Sequence, residues 1–545
     1  MVYKVYSGRV GGVFGDLITV EVDASSGLPG FEMIGLPGSE VKEAKDRVKV
    51  ALKNIGINIP AMKVVINLSP ADEHKAGAAF DLPIAVAILG VFGHISSFSP
   101  EESIILGELS LDGKLKGVRG VLPIVKMAKE MGFKNVILPK ENAAEAGMIK
   151  DINIVPLSEL SEAVMYLNAD ERMKNVVVPP YVRQEVKLED AKEFEEDFSD
   201  VYGQENVKRA AALAAAGFHH LLMIGPPGTG KSLVAKRIPG IMPRLSYEES
   251  LEISTIFSVA GQLSEEIPFI KERPFFSPHH GASSQAIVGG GPYARPGLVS
   301  LSHKGILFLD EMAEFKRETL DMLRQPLEDG KITVSRAKNT FTYPAGFMLV
   351  GAMNPCPCGY FPDRNRCFCS RPSIERYLSK ISGPILDRID ICVEVPRIEA
   401  KELKNLEEMK RLGMVGEEKS DYMTGENALA TEKNTLSSAE LRARVEAAVK
   451  IQQKRYRDEK FCFNSQIPGG KVSSFVPLKK EANDFAFYMY ESMNLSMRSF
   501  YKLIRVARTI ADFEGDTDVE VKHLAEAACY RFPDYMGGDN NNGQF

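Results

Sequence analysis

The run from His219 to Ser232, HHLLMIGPPGTGKS, constrains this chain more than any other stretch. Leu221 to Ile224 is a short apolar run of the kind a buried parallel strand shows. It stops at Gly225-Pro226-Pro227-Gly228-Thr229-Gly230-Lys231-Ser232, which satisfies G-x-x-x-x-G-K-[ST] at every fixed position. Glycines there let backbone N–H groups turn inward around phosphate oxygens, a conformation side chains would block. The helix starting near Lys231 adds its positive N-terminal end. In such a loop the lysine, Lys231, reaches the β- and γ-phosphates, and the Ser232 hydroxyl holds Mg²⁺. The pattern predicts an ATP site on an α/β fold with a parallel sheet.

A second apolar run, Gly305 to Leu309, is closed by Asp310 and Glu311. Downstream of a phosphate loop, this arrangement predicts Asp310 on Mg²⁺ through water and Glu311 orienting the attacking water. Phe347 to Met353 is a third apolar strand, ending in the amide Asn354.

Length and composition set the outer limits. A chain of 545 residues exceeds one core and predicts roughly two to four domains. Apolar residues make up 44% and charged residues 26%, ordinary for a globular chain. No apolar run approaches the ~18 residues that span a bilayer, and the start, MVYKVYSGRVGG, lacks a signal peptide's apolar centre. The expected location is cytoplasmic, with no membrane partner. The net charge of −6 removes any global basic footprint, so contact with nucleic acid must rest on local patches.

Four of the seven cysteines crowd into Cys356-Pro357-Cys358 and Cys367-Phe368-Cys369, separated by GYFPDRNR. They are either ligands for one tetrahedral Zn²⁺ or four reduced thiols in a loop. Two Gly- or charge-rich inserts stand out as well. One runs from Ser277 to Gly297 and carries Arg295. The other, Gly330 to Tyr343, alternates on both sides of Ala337-Lys338-Asn339 and predicts a hairpin with Arg336 and Lys338 at its tip and Phe341 and Tyr343 nearby. Arg295, Arg336 and Lys338 are the candidate DNA contacts, set against an ordinary polar hairpin tip.

The expected organisation is a first α+β domain at 1–168, a linker at 169–198, an ATPase core at 199–397, a mobile linker at 398–436, a helical lid at 437–535 and a disordered tail at 536–545. Within the first domain, Ser39 to Ile55 predicts a helix capped by Ser39, and Val10 to Val22 a strand pair turning at Gly15-Asp16. Ile104 to Leu111 predicts a single strand. Ser437 to Glu440 predicts a capping box ahead of a long helix.

Residues 77–89, 107–125 and 135–142 resemble the proteolytic, S5-like domain of Lon-type proteases. The resemblance implies a Ser–Lys pair, but Ala79 stands at the serine position. An ungapped match puts Leu122 at the lysine, with Lys116 and Lys126 as gapped alternatives. Without a nucleophile the domain is expected to be non-proteolytic, with a binding or assembly role.

Across nearly its whole length the chain resembles the YifB/ComM group of Mg-chelatase-like AAA+ ATPases. That resemblance implies adenine contact at Tyr202 and Gly203, a γ-phosphate sensor at Asn354, and an arginine finger at Arg388 serving a neighbour. It also implies a second sensor arginine at Arg498, with Arg505 and Arg508 as alternatives. It implies a homo-oligomeric ring, commonly hexameric, and DNA helicase or branch-migration activity in recombination or natural transformation. Action on a partner protein, as in a chelatase-like ATPase, is the other reading.

Overall fold

The computed structural model describes residues 2–72, 74–96, 98–183, 196–291, 294–335, 340–397 and 437–531. The expected mobile linker at 398–436, the tail at 536–545 and the hairpin tip carrying Arg336 and Lys338 lie outside the described residues.

The ATPase portion is built on five parallel strands in the order Phe275–Phe276, Ile306–Leu309, Met348–Met353, Leu221–Ile224, Ile391–Glu394. The last four are almost wholly buried, which is why they read as continuous apolar runs and not as alternating ones. Their side chains still divide by face. Leu221, Met223, Phe308 and Val350 pack on one side against the helix Glu205–Gly217 and the C-terminal helices. Leu222, Ile224, Leu309 and Leu349 pack on the other against the inserts. The alanine run in Glu205–Gly217 has side chains small enough for a helix buried on nearly every side.

The C-terminal helices Ser438–Arg455, Lys480–Ser492, Met497–Glu514 and Val521–Cys529 share the first of those apolar layers with the sheet. The expected capping box is present: Ser437 accepts from Glu440 N–H while Glu440 accepts from Ser437 N–H. The basic residues of this helix are partly structural. Arg455 forms a two-pronged pair with buried Asp512 at 2.6 and 2.8 Å, and Arg442 donates to the Gly240 carbonyl.

The N-terminal portion is a mixed seven-stranded sheet ordered Gly30–Ile34, Lys63–Ser69, Phe14–Ser25, Tyr3–Gly11, Ser103–Ile105, Asn135–Pro139, Asn153–Leu157. The first hairpin turns at Gly12-Val13 and not at Gly15-Asp16, because Gly15 pairs with Val10 inside the ladder. The helix Ser39–Asn54 begins at Ser39 itself with Gly38 in the cap position, where the Gly38 N–H is held by the Lys75 carbonyl. The expected strand 104–111 breaks into Ser103–Ile105 and Glu108–Leu109, since Gly107 turns aside to bond the Ala79 carbonyl. The stretch 169–198, expected as a linker, contains the helix Glu171–Val177.

The two sheets meet through the helix Tyr247–Ala260. Leu251, Tyr247 and Phe269 join the apolar cluster of Leu122, Val125 and Ala146. The Gly120 N–H donates to the Ser258 carbonyl at 3.0 Å, and the Leu122 N–H to its hydroxyl at 3.3 Å. Ser258 also donates to the buried Glu145 carboxyl.

Candidate nucleotide site

The strand Leu221–Ile224 delivers Gly225 to the C-terminal edge of the parallel sheet, where crevices of such sheets take ligands. Gly228 and Gly230 sit at φ +76° and +86°, a left-handed region costly for other residues, and this bends the loop around an open centre. The helix Lys231–Ile241 follows without a side-chain cap, leaving its first N–H groups for a ligand.

Lys231 folds back into this loop. Its Nζ donates to the Gly225 and Pro226 carbonyls at 2.7 and 2.8 Å and lies 3.4 Å from Asn354 Oδ1. Burial lowers the pKa of its ammonium, partly offset by Asp310 and Glu311. Ser232 Oγ donates to Asp310 Oδ2 at 2.6 Å. A hydroxyl beside a carboxylate is a hard-oxygen donor set of the kind Mg²⁺ takes. Glu311 holds φ +49° with its side chain exposed, and His280 Nδ1 stands 3.7 Å from its carboxylate. A glutamate strained at a sheet edge suits a group that must face a ligand. Four residues from three different strand ends therefore converge within hydrogen-bonding reach of Lys231 or of one another.

Gly203 and Gln204 also have positive φ, +59° and +56°. Gln204 Nε2 donates to the Thr229 carbonyl at 2.8 Å, tying the Tyr202-Gly203 segment to the phosphate loop, and its buried Oε1 has no donor among the described residues. Tyr202 is half-buried beside it.

Arg388 and Arg498 are elsewhere. The strand Ile391–Glu394 runs parallel to Leu221–Ile224 in register Leu221 to Ile391, so Arg388 precedes the edge opposite the phosphate loop. Its guanidinium donates to the Pro384 carbonyl and pairs with Glu328, and Arg498 approaches the same carboxylate at 3.7 Å. Arg388 Nε is buried without an acceptor among the described residues. Arg508 is committed to Asp512 and two carbonyls inside the helical layer.

Comparison with known proteins decides the family. Descriptions of the magnesium chelatase subunit ChlI match residues 197–403 and 20–142, and one of its C-terminal part matches 435–531. "Competence protein ComM" of Haemophilus influenzae is 38% identical over 543 residues, covering 97% of both chains. "Uncharacterized protein YifB" of Escherichia coli is 40% identical over 526 residues, covering 96% of both. The chain belongs to the YifB/ComM family of magnesium-chelatase-like AAA+ ATPases. The likeness to the "Magnesium-chelatase 38 kDa subunit" of Rhodobacter capsulatus is narrower, 29% identity over 29% of this chain and 50% of that protein.

Around the nucleotide site of this YifB/ComM chain, the inserts turn toward the N-terminal sheet. The strands Lys331–Ser335 and Thr340–Pro344 form the expected hairpin. Tyr343 is not available to stack on a base, because it is buried and donates to the Ala294 carbonyl at 2.7 Å. Arg295, Phe341 and Tyr343 line a cavity of about 890 Å³ whose other wall is Gly77 to Phe80, including Ala79, which the Lon-type resemblance sets at the serine position. Among the described residues no serine, threonine, cysteine or lysine lines it. Leu122 is fully buried, and Lys116 and Lys126 are exposed away from it.

Sequence reading missed Glu328, His280 and the role of Gln204. Glu328 gives no signal, being one acid in a polar helix end whose meaning comes only from two distant arginines. The left-handed Gly-Gln pair was the one local hint at Gln204. Among the described residues, no helix is long and apolar enough to cross a membrane.

Proposed function

We propose that this chain is a Mg²⁺-dependent ATP hydrolase that works as a homo-oligomeric ring, a hexamer, remodelling single-stranded or branched DNA. The observation that carries the reading is the convergence of Lys231, Ser232, Asp310 and Asn354 at one sheet edge, with the two candidate arginines gathered at the other. Gly225 to Ser232 would wrap the triphosphate, with Tyr202 and Gly203 against the base. Ser232 and Asp310 would hold Mg²⁺, which neutralises charge on the β- and γ-phosphates when bound. Glu311 would orient the attacking water and take its proton, Asn354 would sense the γ-phosphate, and Arg388 with Arg498 would serve a neighbour's site. The cavity without a nucleophile supports a non-proteolytic N-terminal domain that binds or assembles.

The competence-named relative favours DNA as substrate. The test is ATP turnover with and without forked DNA, repeated in Lys338→Ala, a residue outside the described ones. Stimulation by DNA that falls in the variant supports the reading. Indifference to DNA, with stimulation by a partner protein, would select the protein-remodelling alternative. Glu311→Gln is expected to bind ATP and assemble while losing about 10²-fold or more in turnover. Normal turnover would mean that another group is the base.

A further inference from the structure

We infer that Cys356, Cys358, Cys367 and Cys369 form a structural tetrathiolate site for one Zn²⁺, bracing the wall of the nucleotide site. The metal site rests on the sulfur geometry alone, and its bracing role rests on the reading of the Lys231 loop as the nucleotide site.

The four Sγ atoms all lie within 4.8 Å of one another. Cys356 Sγ is 3.3 Å from Cys358 Sγ and 3.8 Å from Cys367 Sγ. Four sulfurs about 2.3 Å from a tetrahedral zinc stand roughly 3.8 Å apart, so this clustering leaves room for one ion at its centre. It is too tight for an iron–sulfur cluster, whose inorganic core holds the cysteines further apart. It is too wide for disulfides, whose sulfurs bond at about 2.05 Å, and all seven cysteines are free.

The arms point the same way. In Cys367-Phe368-Cys369 the two thiols turn inward while Phe368 is 90% exposed. A loop packing its thiols merely as small apolar groups would bury the phenyl ring first, since it removes far more apolar surface from water. The Phe361 N–H donates to Cys356 Sγ at 3.4 Å, and the Tyr360 and Cys358 N–H groups are directed at Cys358 and Cys369 sulfurs. Backbone donors of this kind orient thiolate ligands and spread their charge.

The location gives the site its consequence. Gly359, at φ +86°, presses on the phosphate loop: a Cβ there would stand 2.5 Å from Pro227 Cδ and 3.7 Å from Asn354 Cγ. The turn that carries two ligands is thus the back wall of the loop that carries Lys231. A metal that fixes this turn fixes Pro227 and Asn354 with it.

The test uses the full chain purified with reductant and without chelator. Elemental analysis is expected to give about one zinc per chain, unchanged in Cys462→Ser, whose thiol is exposed and remote, and at least tenfold lower in Cys358→Ser. Should Cys358→Ser fail to fold, cobalt exchanged into the unmodified protein is expected to show the intense visible bands of a tetrahedral tetrathiolate. Chelation is expected to open the loop to trypsin at Arg364 and Arg366 and to weaken binding of a fluorescent ATP analogue several-fold. Zinc far below stoichiometric with no cobalt uptake overturns the site, as does iron in its place. Full zinc retained in a Cys358→Ser, Cys369→Ser double variant does so too. Zinc loss that leaves trypsin sensitivity and nucleotide affinity unmoved overturns the bracing role.

Discussion

Lys231 and Glu145 show how differently two buried charges are handled. Lys231 is supplied with carbonyl partners by its own loop, partners that a phosphate can replace one for one. Glu145 lies where the two sheets join, accepting from Ser258, the Leu122 N–H and Asn142, with no cation among these partners. Burial raises its pKa above the usual carboxylate range. A carboxyl with a raised folded pKa favours the native state fully below its unfolded value, and that contribution is lost as pH climbs through the folded value. Glu145→Gln keeps an acceptor for Ser258 and Leu122 but carries no charge. Its melting temperature is expected to exceed that of the unmodified chain at pH 8, with the difference shrinking toward pH 5. A pH-independent difference would show that Glu145 is ionised in the fold across this range, with its pKa not raised.

At the scale of elements, the phosphate loop, the strand closing at Asp310 and the strand closing at Asn354 were legible, because buried parallel strands leave uninterrupted apolar runs that end abruptly in polar residues. The C-terminal capping box and the hairpin at 331–344 are legible too, each resting on a local rule of its own. What failed was set by contacts far along the chain. Ser39 loses its capping role to a bond between Gly38 and Lys75, and the strand at 104–111 is broken by a bond to Ala79. Tyr343, readable as a stacking aromatic, is taken into the core by a carbonyl that no pattern could place. Gly359→Ala tests one such contact. The added methyl cannot fit against Pro227, so ATP affinity is expected to fall about tenfold or more with little loss of fold, measured by analogue binding and circular dichroism. Arg388 tests another. Because it faces away from its own phosphate loop, Arg388→Ala and Lys231→Ala should each be inactive alone yet regain turnover when mixed, reaching about a quarter of normal in random rings. No recovery on mixing would place the arginine in its own chain's site.

Across the whole molecule, the N-terminal sheet is not a loosely tethered attachment. Tyr247, Leu251 and Phe269 of the ATPase portion are shared with its apolar layer, and Tyr247 also donates to the Met148 carbonyl. Removing residues 1–168 would leave these groups facing water. The truncated chain is therefore expected to aggregate or bind an apolar dye, and the full chain to melt in one transition that includes both sheets. Two separated transitions with a soluble, dye-silent truncation would show the junction to be weak.

Glu328 grips Arg388 and comes within 3.7 Å of Arg498. A solitary copy thus keeps both cations occupied at home, far from the fuel it holds. Under the ring reading proposed above, a neighbour's more densely charged anion would have to draw them off that carboxylate, so nucleotide would be spent only once the circle closes and a lone subunit would waste none.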